Sequence, residues 1–428
     1  MATTVAPETS TARPRNQERA IGLWLLACGA MVLVMAVIGA ITRLTESGLS
    51  IMEWAPVTGA LPPLSEAEWN RVFALYRQIP EYTELNAGMS LAAFKTIFWW
   101  EYIHRLWGRL IGVVFLVPFL WFLWRGWVKR PLVPRFVAIF LLGGLQGALG
   151  WYMVASGFAE RTDVSQYRLV AHLSAAMAIY AYLLWVAMGL IVPAPTPSAD
   201  PRARHLRAGL AVLGGLVALT LASGGFVAGL DAGLVYNTFP LMDGDLVPEG
   251  YAMLAPWPRN LFENVAAVQF NHRLLAVTTV ALTGGLWLWG RRLDLAPGAR
   301  RGLDLVLAMA ALQLSLGIAT LLLVVPVWLA PIHQAGAFVL LALVLWAMAN
   351  TRAARERAEA RPGPASGSGQ TGRGRRPAAA DQAGPGGRRA ARGPECPPAG
   401  AESDRATFEQ SLRAFNEGEP DAPSKETF

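Results

Sequence analysis

Four histidines of this 428-residue chain, His104, His172, His272 and His333, fall within long apolar runs. Burying an ionisable side chain in a membrane segment costs several kcal/mol unless it has a partner, so four at one depth need a shared reason. Two neutral imidazoles approaching one point from opposite helices supply the two axial positions of a planar macrocycle, whose own nitrogens fill the other four. Bis-histidine heme fits that chemistry. Zinc or copper would recruit thiolates or carboxylates, and neither His272 nor His333 has an acidic neighbour in the sequence. Cross-helix hydrogen bonding is the competing reading for any one of these histidines. The fifth, His205, sits among arginines and reads as solvated.

Around the histidines, the chain offers two further groups. The dipeptides His104-Arg105 and His272-Arg273 set a guanidinium at the watery end of a span, where it can bind a heme propionate bidentately or simply snorkel. Glu101 precedes His104 by three residues, on the same helical face, and can shuttle protons or hold a polar substrate atom. Its counterpart before His272 is Gln269, which cannot titrate. A structural Glu101 paired with Arg105 is the alternative.

The elements that must carry these residues are membrane spans. The chain is 54% hydrophobic and 16% charged, against about 25% charged in a globular domain, which excludes an ordinary soluble enzyme. Runs of about 20 apolar residues occur near 20–42, 99–121, 135–154, 168–191, 208–230, 266–289, 302–325 and 330–349. The first is too long for the apolar core of a signal peptide. Basic residues gather at one set of ends (Arg13, Arg15 and Arg19; Arg125 to Arg135; Arg202 to Arg207; Arg291 to Arg301). By the positive-inside rule both termini are cytoplasmic. The connections 43–98 and 231–265 then face outward, with Phe98-Trp99-Trp100, Trp151-Tyr152 and Trp328 at the outer interface. The net charge of +7 reports topology and not a nucleic-acid partner. Cys28 and Cys396 stand far apart, so no disulfide framework or CxxC site arises.

The chain also repeats itself. Glu101-Tyr102-Ile103-His104-Arg105-Leu106 matches Gln269-Phe270-Asn271-His272-Arg273-Leu274, and Leu145-Gln146-Gly147-Ala148-Leu149-Gly150 matches Leu312-Gln313-Leu314-Ser315-Leu316-Gly317, at offsets of 168 and 167 residues. Glu46-Ser47-Gly48-Leu49 matches Asp231-Ala232-Gly233-Leu234 at 185. The expected fold is therefore all-α and polytopic: eight transmembrane helices as two tandem, parallel-repeat four-helix bundles. Its parts are a cytoplasmic segment 1–19, a half at 20–191, a linker 192–207, a half at 208–350, and a Gly/Pro/Ala/Arg-rich tail 351–428 that is expected to be disordered. His104 pairs with His172 and His272 with His333.

Together Glu101-Tyr102-Ile103-His104-Arg105, Asn237-Thr238-Phe239-Pro240-Leu241-Met242, Phe270-Asn271-His272-Arg273 and Ile332-His333-Gln334-Ala335 resemble the heme A synthase family, over about residues 20 to 350. The resemblance implies oxidation of the C8 methyl group of heme O to the formyl group of heme A, for cytochrome oxidase, in the bacterial inner membrane. It implies His104 and His172 as axial ligands of substrate heme O, His272 and His333 as iron ligands of a resident heme B cofactor, and Glu101 as catalytic. Arg105 and Arg273 would meet propionates. Many bacterial members carry a cysteine pair in the first outer connection; residues 43–98 have none, which matches the mitochondrial and proteobacterial branch. Implied partners are membrane lipid, an electron donor, heme O synthase and cytochrome oxidase assembly factors by analogy, and a homo-oligomeric state compatible with them. Two other classes use the same features: a non-catalytic diheme cytochrome taking electrons from quinol, and a transporter, which the lack of midplane acidic residues disfavours.

Overall fold

The computed structural model describes residues 12–55, 58–158, 162–192, 200 and 202–351, with side chains described from Asn16 onward. Almost all of the segment expected to be a disordered tail, and part of the linker 192–207, lie outside the described residues. Ten α-helices follow in order: α1 (Ala12–Leu44), α2 (Glu66–Tyr76), α3 (Leu91–Trp124), α4 (Val133–Val154), α5 (Gln166–Ile191), α6 (Ala203–Gly229), α7 (Asn260–Glu263), α8 (Val265–Gly290), α9 (Pro297–Leu322) and α10 (Ala330–Asn350). No strand occurs among the described residues. All but α2 and α7 are long and apolar enough to cross a membrane, and large apolar side chains such as Val117, Leu141 and Val212 point outward from them. The chain is a multi-pass membrane protein.

Several helices outrun their apolar cores. Helix α3 starts at Leu91, eight residues before the apolar run, because Ser90 caps it by accepting from the Ala93 amide and Phe94 and Phe98 gain a partner in α2. Phe98 is thus buried against Trp69, with ring centroids 4.8 Å apart, and is not the lipid-interface aromatic that its neighbours suggested. Trp99, Trp151, Tyr152 and Trp328 are exposed. Likewise α6 begins at Ala203 and α9 at Pro297, ahead of the runs at 208 and 302, with charges on their outer faces. At the other end of α9, Val324 and Val325 take left-handed backbone at φ 57° and 54°, a strained state for a β-branched residue.

The packing order is the same in each set of four spans. Helix α1 packs on α3 and α5, and α4 touches both α3 and α5; α6 packs on α8 and α10, and α9 packs on both α8 and α10. Helices α3 and α5 therefore face each other across the middle of the first set while scarcely touching, as do α8 and α10 in the second. The sets meet along α1–α10, α5–α6 and α5–α10. Gly225 and Gly229 of α6 allow that approach: a Cβ on Gly229 would stand 2.7 Å from Cβ of Gln166. Outside the spans, Arg43 at the end of α1 clasps Asp163 at 2.8 Å and Asp231 at 3.0 Å, joining the two sets at their outer ends.

Candidate porphyrin sites

Each of the four histidines comes from an even-numbered span and lies against a glycine of the span before it. A Cβ on Gly39 (α1) would sit 3.1 Å from Cε1 of His104, on Gly150 (α4) 3.0 Å from that of His172, on Gly224 (α6) 3.1 Å from that of His272, and on Gly317 (α9) 2.8 Å from that of His333. Real Cβ contacts are rarely so short, so each imidazole occupies volume that only glycine leaves free. His104 and His172 stand on α3 and α5, and His272 and His333 on α8 and α10, the helices that face each other across the middle of each set. All four rings are half-buried, whereas His205 is exposed.

Three rings are also held by hydrogen bonds. The Gln146 amide nitrogen lies 3.1 Å from Nδ1 of His172 and donates to its carbonyl at 2.9 Å. Gln313 repeats this with His333 at 3.2 and 2.8 Å. Ser223 Oγ lies 2.8 Å from Nδ1 of His272 and donates to the Thr220 carbonyl at 2.7 Å; with its hydrogen so committed, it accepts the Nδ1 proton and leaves Nε2 as the open lone pair. Gln146, Gly150, Gln313 and Gly317 stood in the sequence repeat without a role, and Gly39, Gly224 and Ser223 were not singled out. The repeated Gln-x-x-x-Gly spacing of residues 146–150 and 313–317 was the available signal.

The acidic member is less free than its sequence position implies. Glu101 is 3% exposed. Its Oε2 accepts from Ser50 Oγ at 2.8 Å and the Ile51 amide at 2.7 Å, and its Oε1 from Arg105 Nη2 at 2.6 Å and Nε at 3.0 Å. Arg105 also donates to the carbonyls of Ile51 and Glu53. The ion pair exists, and it ties the outer segment 50–53 to α3. Tyr102 and Arg109, the latter not singled out from the sequence, extend the same seam by donating to the carbonyls of Ala60 and Ala55.

In the second set Gln269 occupies the place of Glu101 with reversed polarity. It donates to the carbonyls of Ala232 and Val235 and accepts from Arg273 Nη2 at 2.9 Å. Arg273 donates further to Tyr236 and Thr238. The segment Asn237-Thr238-Phe239-Pro240-Leu241-Met242 is thus the platform under this arginine, and Asn237 also donates to the Leu321 carbonyl at the end of α9. Arg273 Nε is buried without a partner.

The residues fit porphyrin. Their donors are four imidazoles, each seated against a glycine and two to each set of four spans, and among the described residues no cluster of three or more His, Cys, Asp or Glu could hold a bare metal ion. Cys28 is buried and free.

The fold and site define a polytopic helical membrane protein with two imidazole pairs. Residues 22–345 match the COX15-CtaA family, described as cytochrome oxidase assembly protein, and the chain belongs to that family. It is 56% identical over 349 residues to a protein of Rhodospirillum centenum named Heme A synthase, covering 80% of this chain and 90% of that one. It is 52% identical over 329 residues to one of the same name from Nitrosospira multiformis, covering 77% and 92%. A Bradyrhizobium protein, again named Heme A synthase, is 48% identical over 365 residues and is covered in full.

Proposed function

We propose that this protein is a heme A synthase, an oxidoreductase that converts the C8 methyl group of heme O to the formyl group of heme A for cytochrome c oxidase. The observation that carries the reading is the twofold recurrence of two imidazoles on facing helices, each seated on a glycine, in a chain about half identical to proteins of that name. In the half at 20–191, His104 and His172 would hold heme O, and in the half at 208–350, His272 and His333 would hold heme B. Bound heme B supplies one-electron relay.

The chain's own residues do the rest. Arg273 Nε, buried and unpartnered, and an Nη1 hydrogen of Arg105 are the donors left for propionates once the loop carbonyls are served. Methyl to formyl releases four electrons to an external oxidant and takes one oxygen from dioxygen or water; Glu101 would accept the protons set free at Oε1, the oxygen shared with Arg105, while Ser50 and the Ile51 amide keep Oε2 in place. The amide of Gln269 cannot do this, which assigns catalysis to the first half. Both termini are cytoplasmic in a bacterial inner membrane, with the sites toward the outer face. Heme O synthase, as the source of the substrate, and cytochrome oxidase assembly factors are the partners by analogy. A homo-oligomer is compatible with this arrangement.

A diheme cytochrome taking electrons from quinol would use the same four histidines, and the names of the relatives favour the synthase. Incubating the purified protein with heme O and a reductant in air, then chromatographing the extracted hemes, tests the choice. Heme A is expected; heme O returned unmodified overturns the proposal.

A further inference from the structure

His104 differs from the other three histidines. A side chain of the preceding span lies within 3.2 Å of Nδ1 of each of His172, His272 and His333: the amide of Gln146, the hydroxyl of Ser223 and the amide of Gln313. Among the described residues neither ring nitrogen of His104 has a hydrogen bond. The cause lies in one position of the duplicated sequence. At the offset of 185 that aligns Gly39 with Gly224, Ser223 corresponds to Ile38, whose side chain has no atom to accept a proton.

The helix carrying His104 is also the more loosely held. Helix α3 packs far less on α4 than α8 does on α9. A Cβ on half-buried Gly112 of α3 would meet nothing within 4 Å, and the corresponding residue of the second half is Val280, packed against the core.

An axial histidine is oriented and made more basic by the hydrogen bond from its second nitrogen, and removing that partner weakens ligation about 10- to 100-fold. Iron held by two imidazoles has no free position, so any exchange at it begins with one ligand leaving. We propose that His104 is the exchangeable axial ligand of the first site and His172 the permanent one, while His272 and His333 both stay. This rests on the porphyrin reading above. The exchange breaks one iron–nitrogen bond and forms one to the incoming ligand, with no change in oxidation state.

Cyanide added to the purified full-length protein loaded with ferric heme O tests this through the absorption spectrum, without turnover. One of the two hemes is expected to bind cyanide. Ile38→Ser, which gives His104 the hydroxyl that His272 has, should weaken that binding about 10- to 100-fold. His104→Ala should keep its first-site heme and form the parent's cyanide adduct, whereas His172→Ala should lose that heme; an unchanged second-site spectrum shows that each variant folds. Equal cyanide affinity in the parent and Ile38→Ser, or heme kept by His172→Ala and lost by His104→Ala, overturns the assignment. Failure of the parent to take up any porphyrin overturns the heme reading itself, and is distinct from either result.

Discussion

Glu101 and Gln269 hold equivalent outer segments with opposite polarity, the carboxylate accepting from a backbone amide and a hydroxyl, the amide donating to two carbonyls. An amide at either position can serve the fold, so chemistry and stability are separable at Glu101. Glu101→Gln is expected to fold, at a cost of about 1–3 kcal/mol for one mismatched donor, while heme A formation falls about 10²–10⁴-fold. Arg105→Ala strands a buried carboxylate and should cost about 3–5 kcal/mol, visible as a lowered unfolding temperature. Heme A yield from Glu101→Gln that merely tracks its thermal stability would remove the carboxylate from the chemistry. The glycines make the complementary case. Gly317→Ala places a methyl group 2.8 Å from Cε1 of His333 and should displace that ring, giving a second-site heme of altered spin state and lower affinity; an unchanged spectrum would refute the cradle. Histidine type, depth and spacing singled out the four proposed ligands in the sequence. The cradle did not show there, because a glycine's value depends on what stands opposite, and linear order does not contain that.

At the scale of elements, the eight spans were legible because a hydrocarbon layer about 30 Å thick demands a long apolar run. Their ends were not, since α3, α6 and α9 continue as amphipathic turns beyond the lipid. The outer connection 43–98 read as a plain link, although Ser65-Glu66-Ala67-Glu68 carries the pattern of a capping box, and Ser65 does cap α2 by accepting from the Glu68 amide. This connection folds as a small outer domain around Tyr76, Phe94 and Phe98, with Glu81 buried inside it at 3% exposure. Tyr76 accepts from Asn86 at 2.8 Å and donates to Glu81 at 3.1 Å. Burial, reinforced by the charges of Glu101, Glu46 and Asp163 and opposed by the Tyr76 hydrogen bond, pushes the Glu81 carboxyl up to about 8. A carboxyl raised above its ordinary value of 4.5 keeps its proton in the fold. Its contribution is complete below about pH 4.5 and is lost as the pH rises through about 8. Hydrogen exchange across 66–98 should therefore quicken, beyond its intrinsic pH dependence, between about pH 5 and 8 and level off above that, and Glu81→Gln should flatten that dependence. Exchange in the parent that ignores pH after correction for intrinsic rates would contradict the buried acid.

For the whole molecule, the duplicated sequence goes with a shared order of helix neighbours in the two sets of four spans, which on the proposal above hold different porphyrins. The first half has a carboxylate, an unassisted His104 and open space beside Gly112. The second has an amide, a serine-held His272 and Val280 where Gly112 stands. Such differences suit one site that exchanges its porphyrin and one that keeps it. The central claim is that one chain carries two porphyrins, each between its own pair of imidazoles, and heme stoichiometry of the purified protein tests it most directly. The account predicts about two hemes per chain when the protein is saturated with heme O, falling to one in His172→Ala with the heme B spectrum retained, and to one in His333→Ala with the first-site heme retained. A single heme in the saturated parent, or both hemes lost from either variant while the protein stays folded, would contradict it.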